Sequence, residues 1–155
     1  MTRNQRFAVE AMRAVTAFSE SLQGKASADA LRKDYLTRAK GFPAMVMQSG
    51  LVQAIGFLVA KSTSGDAKQG DQADPSKKHE AYAHYASSLA RVLGYTRIDA
   101  LHRHAIGQDG APDYRQLTRD VLLAATHLRR YAQIELKTDA AAKQENAQAD
   151  DGGRE

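Results

Sequence analysis

Histidine is the residue type best suited to chemistry in this 155-residue sequence, which has five histidines and no cysteine. His102 and His104 stand two apart, which on a helix points them to different sides, and His79 and His84 stand five apart. There is no HExxH, and no carboxylate–histidine cluster falls on one helical face, so the spacing argues against a metal site. The histidines read as surface or partly buried structural residues. Ser49-Gly50 lies in an apolar helical stretch, not at the strand-to-helix turn that a GxSxG nucleophile requires. No glycine pattern could cradle a nucleotide phosphate. Carboxylates are scattered singly beside basic residues, as Asp34 is near Arg38 and Asp120 beside Arg119, and form no acid/base pair. The chain is expected to bind rather than to catalyse, with no cofactor.

Cations are better organised. At 100° per residue, Arg115, Arg119, Thr126, Arg130 and Lys137 fall within about a 60° sector of the last helix. A straight cationic stripe can track a phosphate backbone through contacts that weaken with salt. The same stripe would also serve as the polar face that any amphipathic helix needs, since arginine is a good helix former.

The whole-chain balance agrees with an anionic partner without requiring one. The net charge is +4, but the segment after residue 138 carries five acidic and two basic residues. The 138 residues before it hold 20 Lys+Arg against 13 Asp+Glu, a surplus of seven. Such a surplus suits nucleic acid, and it also suits a merely solvated surface. Hydrophobic residues make up 43% of the chain, enough for one folded domain over residues 1–138 with an acidic, frayed tail over 139–155. The longest apolar stretch, residues 42–60, is interrupted by Gln48, Ser49, Gly50 and Gln53, so it reads as core and not as a membrane span. Without cysteine or an apolar leader, a cytoplasmic protein with no membrane partner is expected.

The elements that position these residues are all helical, because β-branched residues never alternate with polar ones for long. An all-α bundle of about six helices follows. The first runs from about residue 3 to 23, with Phe7, Ala11, Ala14, Phe18 and Leu22 inward and Gly24 as its stop. Ser27 is the expected N-cap of the second, which carries Leu31, Tyr35 and Ala39 on one face. Pro43 disfavours helical geometry at Phe42, so the second helix is expected to end there. Two apolar pieces hinged at Gly50 should then fill the middle of the fold, with Gly56 tolerated if a neighbour approaches closely. Residues 62–74 read as a mobile polar loop. Pro75 restarts a helix bearing Tyr82, Tyr85, Ala86, Leu89 and Leu93 inward, as far as Gly94. Thr96 and Asp99 approximate a capping box for a short helix to about Ile106. The last helix, about 113–137, has Tyr114, Leu117, Val121, Ala124, Leu128 and Tyr131 as its core stripe.

Residues 43–61, PAMVMQSGLVQAIGFLVAK, resemble the signature of one family: the small helical subunit of the type III-B CRISPR effector, the Cmr or RAMP-module complex. The matched positions include Pro43-Ala44, Gln48, Gly50-Leu51, Gln53-Ala54-Ile55, Phe57-Leu58 and Lys61. A second match lies near the end, at Tyr114-Arg115 with Thr118 and at Leu128-Arg129-Arg130-Tyr131-Ala132. The polar insert and the helix with Tyr82 and Leu89 fall between the two in the right order, and the likeness spans about residues 7–136.

The resemblance implies a non-catalytic subunit that stacks as a minor filament beside the backbone subunits, contacts the large subunit and copies of itself, and lines the groove for target RNA. It would then hold the guide RNA/target RNA duplex, or the target RNA, by its phosphates, because guide pairing reads the sequence. Candidate RNA-binding residues are Lys61, Arg115, Arg119, Arg129, Arg130 and Lys137, with Arg32, Lys33 and Lys40 as the other basic surface. The alternative is a helical adaptor that packs on protein partners and never touches RNA.

Overall fold

Apolar residues at three- and four-residue spacing organise the helices of the computed structural model, which describes residues 1–63 and 75–136. The tail, Lys137 and residues 64–74 of the expected polar loop lie outside the described residues. Within them the chain forms α1 (Arg3–Ser21), α2 (Ala28–Ser49), α3 (Leu51–Thr63), α4 (Pro75–Leu93), α5 (Ile98–Ala105) and α6 (Tyr114–Glu135), with no strand. All six contribute to one buried cluster.

Local sequence explains most of the ends. Thr2 caps α1 through a full capping box: its Oγ1 accepts from the Gln5 amide at 3.2 Å, and its own amide donates to Gln5 Oε1 at 2.8 Å. Asp113 caps α6 by accepting from the Gln116 amide at 3.2 Å. Ser27 occupies the N-cap of α2, but its side chain makes no capping bond.

Two expectations about helix ends are corrected. Helix α2 does not end at Phe42; it continues through Pro43 to Ser49. Phe42 and Val46 extend the face begun by Tyr35 and Ala39, and they are 2% and 3% exposed. Burying those two side chains is worth roughly 1.5–3 kcal/mol each, which offsets the ~3 kcal/mol that an interior proline costs a helix. The Thr96–Asp99 capping box also does not form. Arg97 is the N-cap of α5, with no side-chain cap. Asp99 instead accepts from Arg97 (3.1 and 2.9 Å) and from Arg103 (2.8 Å).

The hinge at Gly50 is present, and it is a single residue. Its φ of 85° and ψ of 162° lie where side chains are strained. Its amide donates to Val46 O and its carbonyl accepts from Ala54, so both helices are bonded right up to it. Gly56 marks the close approach: a Cβ there would sit 3.4 Å from His102 Nε2 on α5.

The centre of the fold is α4 rather than residues 42–61. It packs against each of the other five helices, and Ala81, Tyr85, Ala86, Leu89 and Ala90 are all but completely buried. Rings from three helices meet at this centre. Phe18 of α1 stacks on Tyr35 of α2 (4.3 Å between centroids, 18°). Tyr85 of α4 then meets Tyr35 (5.7 Å, 77°) and Phe42 (5.6 Å, 63°) edge-on, an arrangement that aromatic quadrupoles favour.

Two outcomes follow. Gly50→Ala should destabilise the fold by about 1–3 kcal/mol through backbone strain alone, since the nearest atom a Cβ would meet is the Tyr114 hydroxyl at 4.0 Å. A denaturation midpoint equal to wild type would contradict this. Hydrogen bonds from Arg97 and then Arg103 hold the Asp99 carboxyl down at about 2, against an ordinary 3.8. The stabilisation is therefore present above the ordinary value and lost as pH falls through about 2. Asp99→Asn should flatten the acid limb of the stability–pH curve in that window, as measured by thermal unfolding.

Candidate nucleic-acid interface

Helix α6 buries Leu117, Val121, Ala124, Ala125, Leu128 and Ala132, packing on α1, α2 and α4. At 100° per residue, Arg115, Arg119 and Arg130 project about opposite to that face, and Arg129 lies about 40° to one side of Arg115. All four are exposed, along roughly 22 Å of helix. Arg129, read from the sequence as part of a motif and not of the stripe, joins this surface.

Ion pairing separates these arginines from most of the others; Arg6, 5.6 Å from the Phe7 centroid, and Arg38 likewise form no ion pair among the described residues. Arg3 pairs with Asp120 (3.2 Å), Arg13 and Arg91 with Glu10 (3.0 and 3.7 Å), Arg32 with Asp29 (3.0 Å), and Arg97 and Arg103 with Asp99 (2.9 and 2.8 Å). Arg38 donates to the Tyr82 hydroxyl at 2.6 Å and lies over that ring, 4.5 Å from its centroid. Among the described residues, Arg115, Arg119, Arg129 and Arg130 form no ion pair. Asp120, read from the sequence as the neighbour of Arg119, is taken by Arg3 and by Gln116 (2.9 Å) instead.

Lys61 sits elsewhere, in the last turn of α3, where a cation complements the helix dipole. Its ammonium lies 5.7 Å from the Phe57 centroid, and its carbonyl lies 3.1 Å from Nδ1 of His79 on α4. On α2, Lys33 and Lys40 are exposed, while Arg32 is half-buried and ion-paired.

The flank of α6 towards α1 is aromatic and aliphatic, a feature that the cations alone do not reveal. His127 Nε2 lies 2.6 Å from Asn4 Oδ1. Its ring is 6.5 Å from that of Tyr131, with the planes 22° apart. Burial, and then the charge of Arg130, lower the His127 pKa and so favour the neutral ring. Tyr131 is half-buried, and Tyr114, expected in the core, is 44% exposed, with its hydroxyl 3.4 Å from the Val52 amide. Tyr114 stands at the first turn, where α6 overhangs the link between α2 and α3.

Among the described residues, no three His, Asp or Glu gather to hold a metal ion, and no helix is long and apolar enough to cross a membrane. The recesses are small and shallow, among them one of about 180 Å³ lined by Phe18, His84, Ser88 and Arg91 and one of about 290 Å³ lined by Arg6, Glu10, Arg91 and Gly94. The arrangement offers unneutralised positive charge on a rigid helix.

Comparison with known proteins adds an independent line. The family model described as CRISPR-associated protein (Cas_Cmr5) matches residues 3–135. The CRISPR system Cmr subunit Cmr5 of Thermus thermophilus is 32% identical over 102 residues, covering 66% of this chain and 75% of that one. The X-ray crystal structure of a CRISPR-associated Cmr5 family protein from the same organism aligns with a TM-score of 0.62 at 30% identity, covering 88% of this chain and 100% of the other.

Proposed function

Because the chain belongs to the Cmr5 family of CRISPR-associated proteins, we propose that it is the non-catalytic small subunit of a type III-B effector complex, holding target RNA through the outer face of α6. In this role it stacks with copies of itself beside the backbone subunits and meets the large subunit at one end. The observation that carries the RNA assignment is the set of four exposed α6 arginines without ion-pair partners among the described residues. A paired arginine must break an existing contact before it can bind a phosphate; these need not. Guanidinium groups also suit phosphate better than ammonium does, through their planar, bidentate fork.

Charge without a shaped base pocket gives affinity without sequence readout. That is what an RNA-guided assembly requires of a subunit that holds the target while the guide reads it. Lys61 and Lys137 are proposed as outlying contacts, the first at the end of α3 and the second just beyond α6.

Replacing Arg115, Arg119 and Arg130 with glutamine in the assembled complex should weaken target capture and leave the fold intact. If each holds one phosphate of a single strand, the slope of log K against log salt should fall by about 2. An unchanged slope, with no RNA crosslink to this subunit in the complex, would instead identify a protein-only adaptor. An unchanged slope with a crosslink on α2 would move the RNA surface to Lys33 and Lys40.

A further inference from the structure

The α6 surface carries something that phosphate binding alone does not explain. Beside the arginines, on the side towards α1, run Leu123, His127, Tyr131 and Ile134, spaced so that they share one flank of the helix. Leu123, His127 and Tyr131 are half-buried, and Ile134 is 61% exposed. The two rings lie one turn apart and only 22° from parallel. His127 is held from outside the helix, because its Nε2 bonds Asn4 Oδ1 at 2.6 Å. With the ring neutral, that bond makes Nε2 the donor and leaves Nδ1 as an acceptor. Arg130 follows directly between the rings in sequence, about 60° round the helix from His127.

We infer that an unpaired RNA base stacks on the ledge formed by His127 and Tyr131 while Arg130 holds an adjoining phosphate. The inference rests on the reading of α6 as an RNA surface and adds the class of RNA recognised, a single strand with accessible bases in place of a closed duplex. The chemistry is that of single-strand binding surfaces in general: a cationic track for the backbone, with flat side chains beside it for the bases. Histidine and tyrosine both serve as such platforms. The Asn4 bond fixes the imidazole before RNA arrives, so little ordering is left to be done on binding. Ile134 extends the ledge by another turn and offers apolar surface to the edge of the stacked base.

The test is an NMR titration of the full chain at low salt. The ligands are a uridine oligomer, an abasic ribose-phosphate oligomer of the same length and a blunt RNA duplex. The expected result is an upfield ring-current shift of the His127 and Tyr131 ring protons with the uridine oligomer. Its affinity should exceed that of the abasic chain about five-fold or more, the usual worth of one stacked base. Tyr131→Phe should keep the preference and Tyr131→Leu should abolish it. Should the leucine variant fail to fold, His127→Gln gives the same contrast from the other ring. Equal binding of uridine and abasic oligomers with unmoved ring signals would overturn stacking and leave the phosphate contacts standing; the flank would then belong to a protein neighbour. Binding of the duplex as tightly as the single strand would likewise overturn it. No binding of any oligomer at millimolar protein would remove the RNA reading of α6 and the ledge with it.

Discussion

The ring contacts of Phe18, Tyr35, Tyr85 and Phe42 are the constraint on which the rest of the molecule depends. They join α1 and α2 to α4, and α4 is the helix that every other helix touches. Four of the described helices are amphipathic pieces of about 20 residues, none of which buries its apolar side without a neighbour. The aromatic centre supplies that neighbour to three of them at once. The hydroxyls of Tyr35 and Tyr85 make no well-aligned hydrogen bond there; burial drives both pKa values upward, and the nearby Ser88 hydroxyl offsets part of the rise at Tyr35. The rings are therefore held mainly by shape and dispersion.

That centre determines where the charges can go. Once α6 is packed against α1, α2 and α4, its outer face is left to solvent, and four of its eight exposed residues are arginines. Elsewhere carboxylates stand within reach of most of the arginines and neutralise them, Arg6 and Arg38 excepted. Asp99 and Glu10 each take two, and Asp29 and Asp120 one apiece. The surplus of positive charge is thus not spread evenly over the molecule. Exposed pairs of this kind contribute little to stability, typically 0–1 kcal/mol. Their larger consequence here is to leave α6 as an uncompensated positive surface.

Much of the architecture was legible in the sequence because it is written in local terms. Apolar spacing gave the helices, and Gly24, Gly50, Gly94 and Asp113 gave ends that the structure keeps within a few residues. Pro43 misled because the cost at one peptide was outweighed by burial of Phe42 and Val46, a tertiary effect invisible to local rules. Thr96 and Asp99 misled because two arginines competed for the same carboxylate. The T-x-x-Q pattern at Thr2 is a capping-box signal written in local sequence, and the structure forms it. For the candidate site, the residue types and their common face could be read directly. The division into paired and unpaired arginines could be read only in part: four of the six ion pairs join residues two to four apart, but Arg3–Asp120, 117 positions apart, and Arg91–Glu10 depend on the fold. Tyr114 looked like core by spacing, yet it lies at the first turn, where the helix has little above it to pack against.

The contacts of Arg3 with Asp120 and of Asn4 with His127 bring the start of the chain against the middle of its last helix. Closing so long a loop carries an entropic cost that the earlier, more local helix pairings do not face. The seam between α1 and α6 is accordingly the one that must be completed across nearly the whole chain. It also means that residue 1 emerges beside the arginine face. A purification tag or fluorescent fusion attached there would crowd the surface whose binding it was meant to report. Labels for measuring RNA contact belong away from that seam and away from Lys33 and Lys40.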